Sequence, residues 1–148
     1  MTPLILHPTD TSQWYSLIIE AEAQMNINLN IDTESYLVFL LMRSSKSTLW
    51  LDSSVGMDLM HAMQHSGQIQ KTMLIDVGDK SLLVSGFFPE LVHKKRLDPN
   101  YFIQIGQIAY ASVGGLPDEP QHQLYQELSQ QFLTLKTILH QARQLFSS

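Results

Sequence analysis

Residues 120–146 read PQHQLYQELSQQFLTLKTILHQARQLF, and this stretch decides the fold. Its apolar side chains recur at spacings of three, four and seven: Leu124, Leu128, Leu135, Ile138, Leu139, Ala142, Leu145 and Phe146. At about 100° per residue, these positions fall on one side of an α helix. A helix with such a stripe must pack against other apolar surfaces. We therefore predict an all-α protein in which this stretch forms one long final helix.

The rest of the chain supplies the helices that would cover this stripe. They are expected at about residues 33–43, 53–65, 68–88 and 99–113, after a first helix that starts near residues 9–11. Asp32 is expected to cap the second helix, and Asp98, just before Pro99, the fifth. Residues 36–42 are apolar on all sides, which favours a buried helix, although a buried strand is the competing interpretation.

These elements predict a single compact domain, residues 1–148, built as a bundle of five to six helices with the second and fourth inside. Gly78 leaves one question open in the fourth helix. Glycine costs about 1 kcal/mol relative to alanine in a helix interior. Either the helix breaks there, or a neighbouring backbone approaches closely.

Composition restricts the classes of function. The chain has 148 residues, no cysteine and a formal net charge of −5. Thiolate metal sites, disulfides and cysteine nucleophiles are therefore excluded, and no nucleic-acid partner is expected. No apolar run approaches the ~20 residues that span a bilayer, and residues 1–10 lack a secretion-signal pattern. We expect a cytoplasmic protein, and the low charged fraction of 16% favours self-association.

The strongest chemical candidate is a set of metal ligands on the third helix. Asp58, His61 and His65 project within roughly 60° of one another at the helical step of 100°. Two imidazoles four residues apart, with one carboxylate, are typical ligands of a divalent transition metal. Further donors would come from other helices, for which Glu119, His122 and His140 are the candidates. The competing interpretation is an exposed polar face with two solvated histidines.

Three other groups of residues have a chemical and a structural interpretation. The basic run at residues 93–96 could touch phosphate, but a charged connector between helices is favoured. Asp76, Asp79 and Lys80 could form a carboxylate pair, but a polar strip on a mostly buried helix is favoured. An aromatic pocket lined by Tyr101, Tyr110, Phe87 and Phe88 is less favoured than ordinary core packing.

Met57 and Met60 are expected to point away from the core side of the third helix, toward a groove or a partner subunit. Without an assembled catalytic set, the sequence favours a non-enzymatic interaction or regulatory protein that binds itself or another protein. No cofactor is predicted on this interpretation. The alternative is a helical metal-binding protein or metal-dependent enzyme that uses Asp58, His61 and His65, and a third interpretation is a small-ligand binder.

Overall fold

The computed structural model describes residues 10–147, which form eight α helices and no β strand. The helices are α1 (Asp10–Met25), α2 (Ile31–Lys46), α3 (Val55–Met63), α4 (Gly67–Gly86), α5 (Pro89–Lys95), α6 (Pro99–Gly114), α7 (His122–Gln130) and α8 (Phe132–Ser147). A short 3-10 turn, Leu49–Leu51, precedes α3. The all-α prediction is confirmed, and the predicted number of five to six helices is too low. The sequence-based statement on residues 1–10 falls almost entirely outside the described residues.

The central element is α4, which packs against α3, α5, α6 and α8. Every residue from 77 to 87 is buried, including three that carry polar or charged side chains near the middle of the helix. The helix continues through Gly78 without a break. A Cβ at Gly86 would lie 2.9 Å from the Cβ of Leu139, so this glycine lets α8 approach α4 closely. Neither alternative left open at Gly78 is correct as stated, because the helix does not break and the group that approaches the glycine is the ring of Tyr110, not a backbone.

The final stretch is two helices, which corrects the prediction of one long helix over residues 120–146. Helix α7 packs mainly on α6, whereas α8 packs on α1 and α4. They are separated by Gln131, whose N–H still donates to the Glu127 carbonyl at 2.8 Å. The residues at the centre of the apolar stripe are fully buried: Leu128, Leu135, Ile138, Leu139 and Ala142. Because α7 and α8 pack against different helices, the chain turns at Gln131. The apolar side of both helices still faces the core.

The basic run also has more structure than predicted. Residues 93–95 belong to α5, which starts at Pro89 and ends where Arg96 takes a left-handed conformation with φ of 56°. The prediction of a connector is therefore corrected to a short helix. Basic side chains in its last turn complement the negative end of the helix dipole.

Helix starts follow the capping rules, with one correction. Asp98 accepts the N–H of Asn100 at 3.0 Å, as predicted for α6. The cap of α2 is Asn30, whose side-chain oxygen accepts the N–H of Thr33 at 2.9 Å. Asp32 therefore lies inside the first turn, where its negative charge still favours the helix N-terminus. None of the helices formed by residues 10–147 is long and apolar enough to cross a bilayer.

Candidate functional site

The most unusual polar group in the interior is the carboxyl of Asp79, in the middle of α4. Its side chain is held by two tyrosines from neighbouring helices. The hydroxyls of Tyr36 on α2 and Tyr110 on α6 donate to the same oxygen, Oδ1, at 2.5 Å and 2.7 Å. The other oxygen, Oδ2, lies 3.5 Å from Nη1 of Arg43. One carboxyl thus joins three helices.

Local sequence explains how these groups meet. Tyr36 and Arg43 are seven residues apart on α2, so they lie two turns apart on one side of that helix. Arg43 also bonds the exposed Asp76 at 3.0 Å, and Asp76 and Asp79 are one turn apart on α4. The guanidinium therefore bridges both carboxylates and stacks over Trp50 at 3.7 Å from the ring centre.

Burial dominates the electrostatics of this cluster. Removal from water raises the pKa of Asp79 to about 6, although the hydrogen bonds from Tyr36 and Tyr110 and the charge of Arg43 lower it. Burial also raises the pKa of both tyrosines well above the usual value, and the nearby Asp79 adds to this effect. The two phenols therefore remain hydrogen-bond donors near neutral pH.

Access to this carboxyl is restricted. Tyr110 is fully covered and Asp79 is 5% exposed, so the cluster meets the surface through Tyr36 and through Arg43, whose side chain is 41% exposed. Tyr36 does line a cavity of about 400 Å³, together with Phe39, Leu124 and several polar side chains. Asp79 does not belong to that lining. The cluster is a polar centre that links α2, α4 and α6 through the Asp79 carboxyl.

The predicted metal ligands are placed as follows. Asp58 accepts hydrogen bonds from Lys80 Nζ and from the Ser53 hydroxyl, both at 2.6 Å. Burial by itself would raise the pKa of Asp58. The hydrogen bonds from Lys80 and Ser53 have the larger combined effect, so the pKa lies below its usual value. His61 and His65 are exposed, and His65 Nδ1 lies 2.8 Å from the His61 carbonyl oxygen.

The metal site stays a prediction. Among residues 10–147, no three histidine, aspartate or glutamate side chains have an arrangement that could hold a metal ion. Glu119, one of the candidate further donors, is paired with Lys71 at 2.7 Å. Both hydrogen bonds to Asp58, from Ser53 and from Lys80, are accepted by Oδ2. Metal analysis of untagged protein tests this directly, since a bound metal should be lost in the His61→Ala/His65→Ala double variant.

Sequence reasoning missed the role of Lys80. Its ammonium is almost buried and contacts both Asp58 and the hydroxyl of Ser53. Neighbouring Asp79 and Lys80 therefore have partners on different sides of α4, which corrects the expectation that Asp76, Asp79 and Lys80 form a single polar strip. Asp76 is the most accessible of the three, with its side chain 48% exposed. The available signal was the position of two charged residues inside an otherwise buried stretch of helix.

The four predicted pocket residues do not come together around a cavity. Tyr110 packs against Tyr36, Tyr125 and Phe132 in the core. Phe87 packs against Trp14 and Phe88, and Tyr101 packs against the neighbouring Phe102. Ordinary core packing, the favoured interpretation, accounts for them.

The outer side of α3 carries an apolar surface. Met57, Met60 and Met63 are 53%, 62% and 49% exposed, so the expectation that Met57 and Met60 point away from the core is confirmed.

Comparison with protein-family models, with curated proteins and with solved structures finds no match to this chain.

Proposed function

We propose that the protein is a small interaction module that pairs with a second copy of itself through the α3 methionine face, formed by Met57, Met60 and Met63. The observation that carries the proposal is the exposure of about half or more of each of these side chains. An outward helix face usually carries polar residues. Methionine is flexible and polarisable, which suits a surface that adapts to a partner.

The charge pattern of α3 favours a second copy as the partner. A two-fold contact places a surface against itself, so like charges on that surface would face one another. Helix α3 contains no lysine, arginine or glutamate. Its one aspartate, Asp58, is already paired with Lys80. The α3 methionine face can therefore meet its own copy without uncompensated carboxylate repulsion.

The size of the face sets the strength of the pairing. Helix α3 has nine residues. A stable interface buries about 800 Å² on each partner, which is more than one short helix face provides. We therefore expect a weak, concentration-dependent dimer.

Sedimentation equilibrium over a range of protein concentrations tests the proposal. The wild-type protein should shift from monomer to dimer as concentration rises. Met60→Glu places two carboxylates at the contact and should keep the protein monomeric. Leu133→Glu on α8 is the matched control, because Leu133 is 56% exposed, close to the value for Met60. A wild-type protein that stays monomeric at the highest concentration, or equal loss of dimer in both variants, would refute the proposal.

A further inference from the structure

The α3 methionine face brings three thioether sulfurs together on the surface. Met57, Met60 and Met63 follow one another at spacings of three residues, so each side chain neighbours the next along the helix. About half or more of each side chain is exposed, which makes the sulfurs accessible to small solutes. Leucine has a helix propensity similar to that of methionine, so helix formation does not require sulfur at these positions.

The other methionines within residues 10–147 are less accessible. Met25 on α1 is 37% exposed, and Met42 and Met73 are half-buried and pack against the core. The hydroxyl of Thr11 donates to the Sδ of Met42 at 3.3 Å, which engages an electron pair of that sulfur. The chain has no cysteine, so methionine supplies all of its sulfur. Among the described residues, the sulfur that an oxidant can reach is therefore concentrated on α3.

A hydroperoxide converts an accessible methionine into methionine sulfoxide. The thioether sulfur donates an electron pair to one oxygen of the peroxide, the O–O bond breaks and an S–O bond forms. With hydrogen peroxide, the sulfur is oxidised by two electrons, the peroxide is reduced and water is released. The thioether is apolar, whereas the sulfoxide is polar and accepts hydrogen bonds from water. Oxidation thus changes an apolar surface into a hydrated one.

We propose that Met57, Met60 and Met63 are sites of reversible oxidation by hydroperoxides, and that their sulfoxides weaken the pairing of two copies of the chain. This inference rests on the proposed self-association. A sulfoxide loses its hydrogen bonds to water when a second copy covers it, and this loss opposes pairing. Methionine sulfoxide reductases restore the thioether, so the change is reversible.

Pairing and oxidation compete for the same side chains. In the dimer the second copy covers the α3 methionine face, so hydrogen peroxide reaches these sulfurs in the monomer. By mass action, a higher protein concentration lowers the monomer fraction. The oxidation rate of Met60 should therefore fall as protein concentration rises. The rate at Met25, which lies outside this face, should not change and serves as the internal control.

Peptide mapping by mass spectrometry, after timed treatment with hydrogen peroxide at several protein concentrations, measures the rate at each methionine. In dilute protein, Met57, Met60 and Met63 should be oxidised faster than Met42 and Met73. Equal rates at all five methionines would overturn the assignment of α3 as the oxidation site. A rate at Met60 that is independent of concentration, in a protein that does pair, would equally contradict the proposal.

Sedimentation equilibrium before and after oxidation measures the effect on pairing. The dissociation constant of the dimer should rise by about tenfold or more, since losing the burial of one apolar side chain costs at least that factor. Treatment with sulfoxide reductases for both epimers should restore pairing. Circular dichroism confirms that the oxidised protein is folded.

Two variants assign the effect to α3. The triple variant Met57→Leu/Met60→Leu/Met63→Leu keeps an apolar face without sulfur, so it should pair and remain paired after peroxide treatment. Met25→Leu is the matched control and should lose pairing on oxidation as the wild type does. Untreated wild-type protein that stays monomeric would refute the self-association and, with it, this regulation. A dimer that survives full oxidation of α3, or equal loss of pairing in the oxidised triple variant, would overturn this inference alone.

Discussion

The backbone of Gly78 on α4 packs directly against the ring of Tyr110 on α6. A Cβ at position 78 would come within 2.5 Å of the Tyr110 Cε1 and within 2.6 Å of its Cδ1. The ring is fully covered, so it has little freedom to move away. The absent side chain of Gly78 therefore sets the distance between the two helices and brings the Tyr110 hydroxyl to the next residue, Asp79.

We predict that Gly78→Ala destabilises the protein, despite the higher helix propensity of alanine. Overpacking in a core costs about 1–3 kcal/mol, and a contact of 2.5 Å with a fully covered ring places this site at the upper end of that range, above the ~1 kcal/mol gained in propensity. Gly115→Ala is the matched control, because the nearest atom to its Cβ would be 3.5 Å away. Chemical denaturation of both variants measures the difference, and equal stability of Gly78→Ala and wild type would contradict the packing described here.

The Asp79 carboxyl predicts a pH dependence of stability. Its pKa is about 6 in the folded protein against the usual 3.8, so the folded state holds this proton more tightly than the unfolded state. The stabilisation is complete below the unfolded pKa and is lost as pH rises through the folded pKa, about 3 kcal/mol in all.

Asp79→Asn should remove this contribution while its side-chain oxygen still accepts both tyrosine hydroxyls. The free energy of unfolding of the variant, relative to wild type, should rise by about 2 kcal/mol between about pH 4 and about pH 7, which is less than the full effect because pH 4 is still above the unfolded pKa. Chemical denaturation of the variant and of the wild type at each pH gives the stability difference between them at pH 4 and at pH 7. A difference that does not change with pH would show that Asp79 titrates normally.

In the ion pair Lys80–Asp58, removal of the carboxylate should cost more stability than removal of the ammonium. The Lys80 side chain is 7% exposed and that of Asp58 is 32% exposed. Asp58→Asn leaves a buried ammonium without a counter-charge and should cost about 2–3 kcal/mol, below the cost for a fully buried pair because Asp58 is partly solvated.

Lys80→Met should cost less than Asp58→Asn, because the remaining carboxylate reaches water and the methionine fills the place of the lysine stem. Thermal and chemical denaturation of both variants show which substitution lowers the free energy of unfolding more. A larger loss of stability in Lys80→Met would mean that an unpaired ammonium at this position is less costly than an unpaired carboxylate.

Sequence patterns predicted the fold class and several helix ends because these depend on local chemistry. The stripe at residues 120–146 indicated helix–helix packing, and Asp98 before Pro99 indicated a helix start. The pattern could not reveal the turn at Gln131, because the apolar spacing stays compatible with one helix while the partners change. Similarly, Asn30 and Asp32 are both good caps, and the packing of the α1–α2 connection selects Asn30.

The polar interior was less accessible to sequence reasoning. Tyr36, Asp79 and Tyr110 are far apart in the chain and meet only through the arrangement of three helices. The outward position of Met57 and Met60 was recognisable, because a single helix is enough to show which side faces away from its apolar residues.

Cross-linking of a single introduced thiol tests the proposed pairing most directly, because the chain contains no cysteine of its own. Met60 lies near the middle of α3, so two copies of α3 that cross on a two-fold axis bring the two Met60 positions together. Met60→Cys treated with a short bis-maleimide should give a covalent dimer in high yield, whereas Leu133→Cys on α8 should remain monomeric. Equal yields from the two positions, or no covalent dimer from Met60→Cys, would contradict self-association through the α3 methionine face.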